Sequence, residues 1–324
     1  MTMKQDMSWT KLPVLNLTPD FEPFGPSTAG TVEYIDYPSG VEPHVRITAE
    51  LPAVGFHHAL FTARPTTATD LLRVLLAPSA WSDDREVQLF MPYMPHARQD
   101  RRAVPADAFS LHVIAGLLEK ANYRQVHVFD LHNPDALNVH PSNMRSFVKN
   151  YAPTHFLTNV IRLEESSNRS QRQVLLVVPD KGMMRRLLHM VANEATDEEP
   201  SLFADLMIRH EQLVCSKDRN PEDGHLNITV PHDVDVKGRV CVIVDDICDG
   251  GGTFIPIIEE LKKRGARRVV LAVSHGLFTK GYTALRSAGL DQVYMTNSWP
   301  SAPVNIRKPM VKVTDSWSPL LGVA

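Results

Sequence analysis

The sequence predicts an α/β protein with doubly wound, mainly parallel central sheets. Two observations carry that prediction. First, five segments share one form. Each opens on a charged residue, runs through Val, Leu or Ile, and ends in polar or glycine-rich residues. They are "REVQLFMPY" (85–93), "RQVHVFDLH" (124–132), "RQVLLVVPD" (172–180), "RVCVIVDD" (239–246) and "RRVVLAVSHG" (267–276). Near-continuous apolar runs of this length suit strands buried on both faces, as in a parallel sheet. Second, amphipathic helical stretches lie between them, and strand–helix alternation is the pattern of a doubly wound fold. Ligands of such sheets bind beyond the carboxyl ends of the strands. The polar clusters of this chain fall there.

Along the chain, the first 50 residues are rich in Pro, Thr and Gly and show no clear period. "DAFSLHVIAGLLEKA" (107–121) places Leu111, Ile114, Leu117 and Leu118 on one helical face. "GMMRRLLHMVANEA" (182–195) does the same with Met183, Leu187 and Met190. "TFIPIIEELKKRGA" (253–266) begins at a threonine, carries Pro256 in its first turn and stops at the C-cap Gly265. The segment 193–238 differs: it is acidic, then charged and turn-rich, and 215–226 reads as a surface loop serving as a mobile lid. A faint echo between "RQVHVFD" and "RQVLLVVPD" is consistent with two related domains.

The 324 residues suffice for two ordinary domains. Hydrophobic content of 43% and charged content of 22% are those of a globular chain. A formal net charge of -3 argues against a general nucleic-acid binder. No apolar stretch reaches the ~18 residues a membrane helix needs. "MTMKQDMSWTKLP" has no apolar core like that of a signal peptide. The three cysteines are too few and too irregular for a disulfide framework or a zinc site. These features lead to an expected cytoplasmic location.

The stretch "VIVDDICDGGGTF" (242–254) carries the most chemistry. Asp249, Gly250, Gly251, Gly252 and Thr253 open a helix directly after an apolar strand. Glycines let backbone N–H groups approach an anion, and the helix N-terminus adds positive potential. Thr253 has the hydroxyl to cap that helix or to bind a phosphate oxygen. Asp245 and Asp246 cannot bind phosphate directly, because like charges repel. They suit hydroxyl donors or a hydrated magnesium ion. A ligand with a phosphate at one end and a diol at the other is a ribose phosphate.

This loop resembles the phosphoribosyl pyrophosphate loop of the type I phosphoribosyltransferases. Other segments narrow the resemblance to the ribose-phosphate pyrophosphokinases. "MPYMPHARQDRR" (91–102) is similar to their ATP-contacting P-Y-x-x-x-A-R-Q-D-R, and "VFDLH" (128–132) to V-D-L-H. "VVPDKG" (177–182) is similar to S-P-D-x-G-G, and "VCSKDR" (214–219) to the K-x-R of the flexible catalytic loop. "SHGLF" (274–278) and "TNSWP" (296–300) match T-H-G-x-F and T-N-[ST]-x-P. Order and spacing agree from about residue 85 to the end. Before it, "YPSGVEPHVRI" (37–47) matches only loosely.

The resemblance implies transfer of the β,γ-diphosphoryl group of ATP to the 1-hydroxyl of ribose 5-phosphate, releasing AMP. The chain has no G-x-x-x-x-G-K-[ST] loop, so ATP must be held another way. By resemblance, Arg98, Gln99 and Asp100 hold ATP, with Tyr37 and Glu42 as adenine contacts. His132 and Asp180 sit near Mg2+, and Lys217, Arg219 and His132 are catalytic. Asp245, Asp246 and Asp249 to Thr253 bind the ribose phosphate. Two phosphoribosyltransferase-type domains are implied: 20–155 joined by about 304–324, with ATP mainly on it, and 156–303 with the ribose phosphate. Homo-oligomers are the family's habit. No nucleic acid or membrane partner is expected.

The chain departs from the family in three places. Gly250 and Gly251 stand where the loop usually reads T-A, Met183 replaces the second glycine of P-D-x-G-G, and "NPDALNVHPSN" (133–143) replaces Q-I-Q-G-F-F. Lost side-chain volume in the loop raises a larger acceptor, such as ADP-ribose, as an alternative. A non-catalytic synthetase-associated protein and a phosphoribosyltransferase are the others. Retention of Lys217, Arg219, Asp245 and Asp246 favours the enzyme over the first of these two. The ATP segment disfavours the second.

Overall fold

The computed structural model describes residues 8–38, 40, 42–49, 58–81, 86–102, 104–139, 146–167, 174–194, 201–219, 226–300, 311–314 and 317. The chain divides into two compact units. Of the described residues, the first unit holds those from Ser8 to Ala152 and Trp317. The second holds those from Pro153 to Thr314.

In chain order the first unit contains β1 (Val14–Asn16), β2 (Gly30–Asp36), β3 (Pro43–Ala49), β4 (His58–Thr62), α1 (Ala68–Trp81), β5 (Glu86–Phe90), α2 (Ser110–Lys120), β6 (Tyr123–Phe129) and β7 (Val148–Tyr151). Its sheet has the order β1-β4-β5-β6-β7, and every neighbouring pair is parallel. β2 and β3 form a separate antiparallel hairpin. The apolar faces of α1 and α2 meet alternate residues of the strands, among them Phe61, Leu89 and Val126. In α2, Leu111, Ile114 and Leu118 are buried, but Leu117 is 42% exposed. The apolar stripe is narrower than the sequence suggested, and Ala115 takes the buried position instead.

The opposite face of this sheet is aromatic. Trp9 stacks on His127 with ring centroids 3.8 Å apart and donates its Nε1 hydrogen to the Tyr151 hydroxyl at 2.9 Å. His127 Nε2 meets the Gln88 amide oxygen at 2.7 Å, so Nε2 carries the proton. Nδ1 then accepts from the Tyr151 hydroxyl at 3.0 Å. Burial, with Lys149 adding to it, lowers the His127 pKa to about 3, so the ring is a neutral structural group. Trp317 packs edge-on against Phe90 and Phe129.

The second unit contains α3 (Thr154–Ser167), β8 (Leu175–Val178), α4 (Lys181–Glu194), α5 (Leu202–Arg209), β9 (Gln212–Val214), β10 (Ser216–Arg219), β11 (Leu226–Thr229), β12 (Val240–Cys248), α6 (Phe254–Lys263), β13 (Arg268–Gly276), α7 (Thr283–Ser287), β14 (Gln292–Thr296) and β15 (Val311–Thr314). The sheet runs β15-β14-β13-β12-β8-β9, again all parallel. From β8 the chain goes out to β9 on one side, then returns to build β12 onward on the other. The order therefore reverses between β8 and β12. A crevice opens at such a switch point, beyond the carboxyl ends of the strands. The buried Glu164 of α3 ties this sheet to its helix layer. It accepts from Arg268 Nε and Nη2 at 2.8 and 2.9 Å and from the Tyr294 hydroxyl at 2.8 Å.

Two expectations change. Within 304–324, Val311–Thr314 belongs to the second unit, where it pairs with β14, whose outer edge takes a parallel partner. Trp317 does join the first unit's aromatic face, and the rest of that segment lies outside the described residues. The segment 215–226 is not simply a loop. β10 and β11 pair as an antiparallel hairpin with Lys217 opposite Ile228. The hairpin lies outside both large sheets, so polar side chains are tolerated along it. Residues 220–225 lie outside the described residues.

Helix α6 ends as the sequence predicts. Gly265 has φ +84°, its N–H donates to the Lys262 carbonyl at 2.9 Å, and Ala266 N–H donates to the Leu261 carbonyl at 3.0 Å. This pair of bonds is a Schellman cap. Gly265→Ala should destabilise the second unit by about 1 kcal/mol. Urea unfolding with an unchanged slope and a lower midpoint would show it. Among the described residues, no helix is long and apolar enough to cross a membrane.

Candidate active site

β12 runs past its apolar stretch to Cys248, so Asp245 and Asp246 lie within the strand and point to opposite faces. Asp246 is buried, with Arg186 Nη1 of α4 at 3.3 Å from its carboxylate. Asp245 is half-buried, and its Oδ1 accepts the Asp246 N–H at 2.9 Å. Burial, and then the neighbouring Asp246 charge, push the Asp245 carboxyl well above the usual carboxylate range. Arg186 opposes the shift without cancelling it. A hydroxyl donor or a cation at Asp245 would relieve that cost.

The loop Asp249–Thr253 follows at the entrance to α6. Gly251 has φ +81°, the left-handed conformation that glycine adopts readily. Its carbonyl accepts from Phe254 and Ile255 at 2.9 and 3.0 Å, turning the chain into the helix. Thr253 makes no side-chain capping bond. Its hydroxyl is therefore not committed to the helix end. A β-carbon at Gly250 would stand 3.3 Å from Lys280 Cδ, and one at Gly251 would stand 3.3 Å from Leu285 Cδ2. At Gly252 it would meet nothing within 4 Å. The space vacated at 250 and 251 is thus taken by neighbouring side chains, and the loop is not widened there.

On the other side of the switch point, Asp180 follows β8 and caps α4. Its Oδ1 accepts the Met183 N–H at 2.9 Å. Met183 itself is buried, so the departure at this position serves helix packing. Lys217 Nζ stands 3.9 Å from Asp180 Oδ2. The structure thus brings together two residues 37 positions apart in sequence (217 − 180), both on the candidate list. Arg219 closes β10, its backbone opposite Leu226.

The first unit holds the remaining candidates. Arg98 and Gln99 are exposed in a turn where His96 has φ +62°, and Gln99 Oε1 bonds His96 Nδ1 at 3.0 Å. Asp100 Oδ2 accepts from Asn133 Nδ2 at 2.6 Å, joining the 98–100 turn to the residue after His132. Asn133 opens the stretch that departs from the family's Q-I-Q-G-F-F, so this contact belongs to the chain's own variant. His132 is half-buried beyond β6, after Asp130 at φ +48°. Tyr37 and Glu42 flank the turn of the β2–β3 hairpin and are exposed. Arg73 of α1 grips that hairpin through Asp36 at 2.7 and 2.8 Å. Among the described residues, no cluster of three or more His, Cys, Asp or Glu forms a metal-type group.

Sequence reasoning missed Arg186, Thr279 and Lys280. Arg186 sits on the polar stripe of an amphipathic helix, where an arginine normally signals solvent. Thr279 Oγ1 donates to Asp249 Oδ1 at 2.6 Å from a turn 30 residues away.

Two parallel sheets, one with a glycine-rich loop at a strand's carboxyl end, give the α/β architecture of the type I phosphoribosyltransferase fold. The fold is that of the phosphoribosylpyrophosphate synthetase from Mycobacterium smegmatis. The TM-score is 0.67 over 90% of this chain and 88% of that one, at 23% identity. Residues 211–322 match the phosphoribosyl synthetase-associated domain. A ribose-phosphate pyrophosphokinase of Pyrococcus furiosus is 28% identical over 233 residues, 71% of this chain and 74% of the relative. One from Thermococcus kodakarensis is 28% identical over 216 residues, 67% of this chain and 68% of its own length. The chain is thus similar to the ribose-phosphate pyrophosphokinases in sequence and to a phosphoribosylpyrophosphate synthetase in fold.

Proposed function

We propose that the chain is a ribose-phosphate pyrophosphokinase that makes phosphoribosyl pyrophosphate and AMP from ribose 5-phosphate and ATP. One observation carries this reading: a half-buried, charge-stressed Asp245 stands just ahead of a glycine-rich helix entrance at a topological switch point. Asp245 takes the ribose hydroxyls, and Asp249 to Thr253 take the 5-phosphate. The 1-hydroxyl oxygen bonds to the β-phosphorus of ATP, the bridge to the α-phosphate breaks, and AMP leaves. The hydroxyl proton passes to solvent.

Most of this reaction is positioning and charge neutralisation. Arg98, Gln99 and Asp100 hold ATP, and Tyr37 and Glu42 receive its adenine. Lys217 and Arg219 neutralise the charge that develops on the transferred group. When bound, magnesium would supply further neutralisation of the phosphates, with His132 on the first unit and Asp180 on the second the residues that would meet it. Asp180 has an oxygen for that role, because capping α4 engages Oδ1 and Lys217 stands no closer than 3.9 Å to Oδ2. We place the protein in the cytoplasm as a homo-oligomer, as the family's habit suggests.

The test is AMP release from magnesium ATP with ribose 5-phosphate or ADP-ribose, with the product identified by mass. Ribose 5-phosphate should support turnover, and the product should gain one diphosphate. Turnover with ADP-ribose alone would move the acceptor assignment to the larger ligand. Release of AMP with neither would overturn the enzyme reading in favour of a non-catalytic relative.

A further inference from the structure

We propose that Lys280 is an additional binding residue for the acceptor's phosphate, reaching the loop from the following strand–helix connection. The proposal rests on the functional reading above. The loop Asp249–Thr253 has no cationic side chain, and it sits close to three carboxylates, Asp245, Asp246 and Asp249. Backbone N–H groups and a helix N-terminus contribute only partial charges. A phosphate dianion held there gains from a full positive charge nearby.

Lys280 is fixed for that purpose. Its segment is tied to the end of β12 by Leu277 and Phe278 N–H groups, which both donate to the Cys248 carbonyl at 2.9 and 3.1 Å. Thr279 adds the bond to Asp249. The turn then closes with Gly281 N–H donating to the Phe278 carbonyl at 2.7 Å. From this anchored turn the Lys280 stem crosses Gly250. Its Cδ and Cε lie 3.3 and 3.4 Å from where a β-carbon of residue 250 would stand, and the ammonium is one bond beyond. An exposed lysine is ordinarily just solvated. Here the turn that carries it is bound to the end of β12 and to Asp249 of the loop, and its stem packs over the glycine. Gly250 and Lys280 therefore form one unit: a β-carbon at 250 would push the lysine stem by a few tenths of an ångström, and a longer side chain would displace it. The glycine that departs from the family pattern exchanges a short side chain for a cation.

Kinetics of four variants test this. Lys280→Ala should raise the KM for ribose 5-phosphate roughly tenfold, the effect of one charge-assisted hydrogen bond at an open site, with kcat and the KM for ATP near wild type. Lys280→Arg should restore most of the affinity. Gly250→Thr, whose side chain reaches past the β-carbon into the lysine stem, should raise the same KM in the wild-type background but add nothing to Lys280→Ala, since both remove one interaction. The effect should shrink as salt is raised. An unchanged KM in Lys280→Ala, or additive effects of the two substitutions, would overturn the proposal. Thermal unfolding of each variant separates these results from misfolding. Calorimetry with inorganic phosphate provides a readout independent of turnover. If the wild-type protein binds phosphate but makes no AMP, the enzyme reading fails, and the Lys280→Ala difference in phosphate affinity still decides this proposal.

Discussion

Lys217→Ala should lower kcat by roughly 10²–10³-fold, the usual cost of removing one charge stabiliser from a transition state, while ATP binding stays near wild type. The position of Lys217 explains why the loss should fall on kcat. Its backbone is set by pairing with Ile228 in the β10–β11 hairpin, not by its contact with Asp180. The 3.9 Å pair with Asp180 is about one-third exposed on both sides. Such pairs contribute roughly 0–1 kcal/mol, so the fold should survive the substitution. A residue that gripped ATP in the ground state would instead raise KM with kcat unchanged. The measurements are single-turnover AMP release, the calorimetric Kd for ATP and the urea midpoint. Wild-type kcat in Lys217→Ala would remove the residue from the reaction. A large rise in Kd with unchanged kcat would reassign it to ATP binding. Lys217→Arg should recover part of the rate, since the charge is kept and its geometry is altered.

What the sequence revealed and what it hid follow from where each element lies. β5, β6, β8, β12 and β13 were legible because interior parallel strands are apolar on both faces. β1 and β9 are sheet edges of three residues each, too short to show a period. β15 lies on the opposite edge and carries exposed Lys312 and Val313, so its pattern resembles a loop. "SKDR" reads as a solvated loop for a similar reason, since a two-stranded hairpin outside the sheets need not bury either face. The loop at 249–253 was legible because glycine freedom and an adjacent carboxylate pair are local features. Arg186 and Lys280 were not, since each reaches the site from an element whose own pattern is fully explained without it. Asp180 shows a different limit. A D-x-x motif opening a helix is a complete N-cap, and its second role is invisible until Lys217 is placed beside it.

The two adjacent aspartates should respond in opposite directions to removal of their charge. Asp245→Asn should raise the thermal midpoint of the free protein at neutral pH while reducing kcat/KM for ribose 5-phosphate by about 10²-fold. Its carboxyl is raised by burial and by Asp246, so the folded chain holds that proton more tightly than the unfolded chain does. Ionisation therefore begins to cost stability once the pH passes the ordinary carboxylate value of about 4, and the cost grows up to the folded value. Asn carries no such penalty. The midpoint difference between Asp245→Asn and wild type should accordingly be near zero around pH 3 and increase as the pH rises. A gain of 1 kcal/mol corresponds to roughly 2–4 °C in domains of 150–250 residues. Asp246→Asn should do the reverse. It leaves the Arg186 guanidinium beside a neutral amide in a buried setting, which costs roughly 1–3 kcal/mol. Scanning calorimetry of both variants from pH 3 to 8 in EDTA, paired with AMP release in magnesium, separates the two roles. If Asp245→Asn lowers the midpoint at every pH, its carboxylate is a structural partner, not a binding group held ready at a cost in stability. If it keeps wild-type kcat/KM, the ribose hydroxyls are held elsewhere.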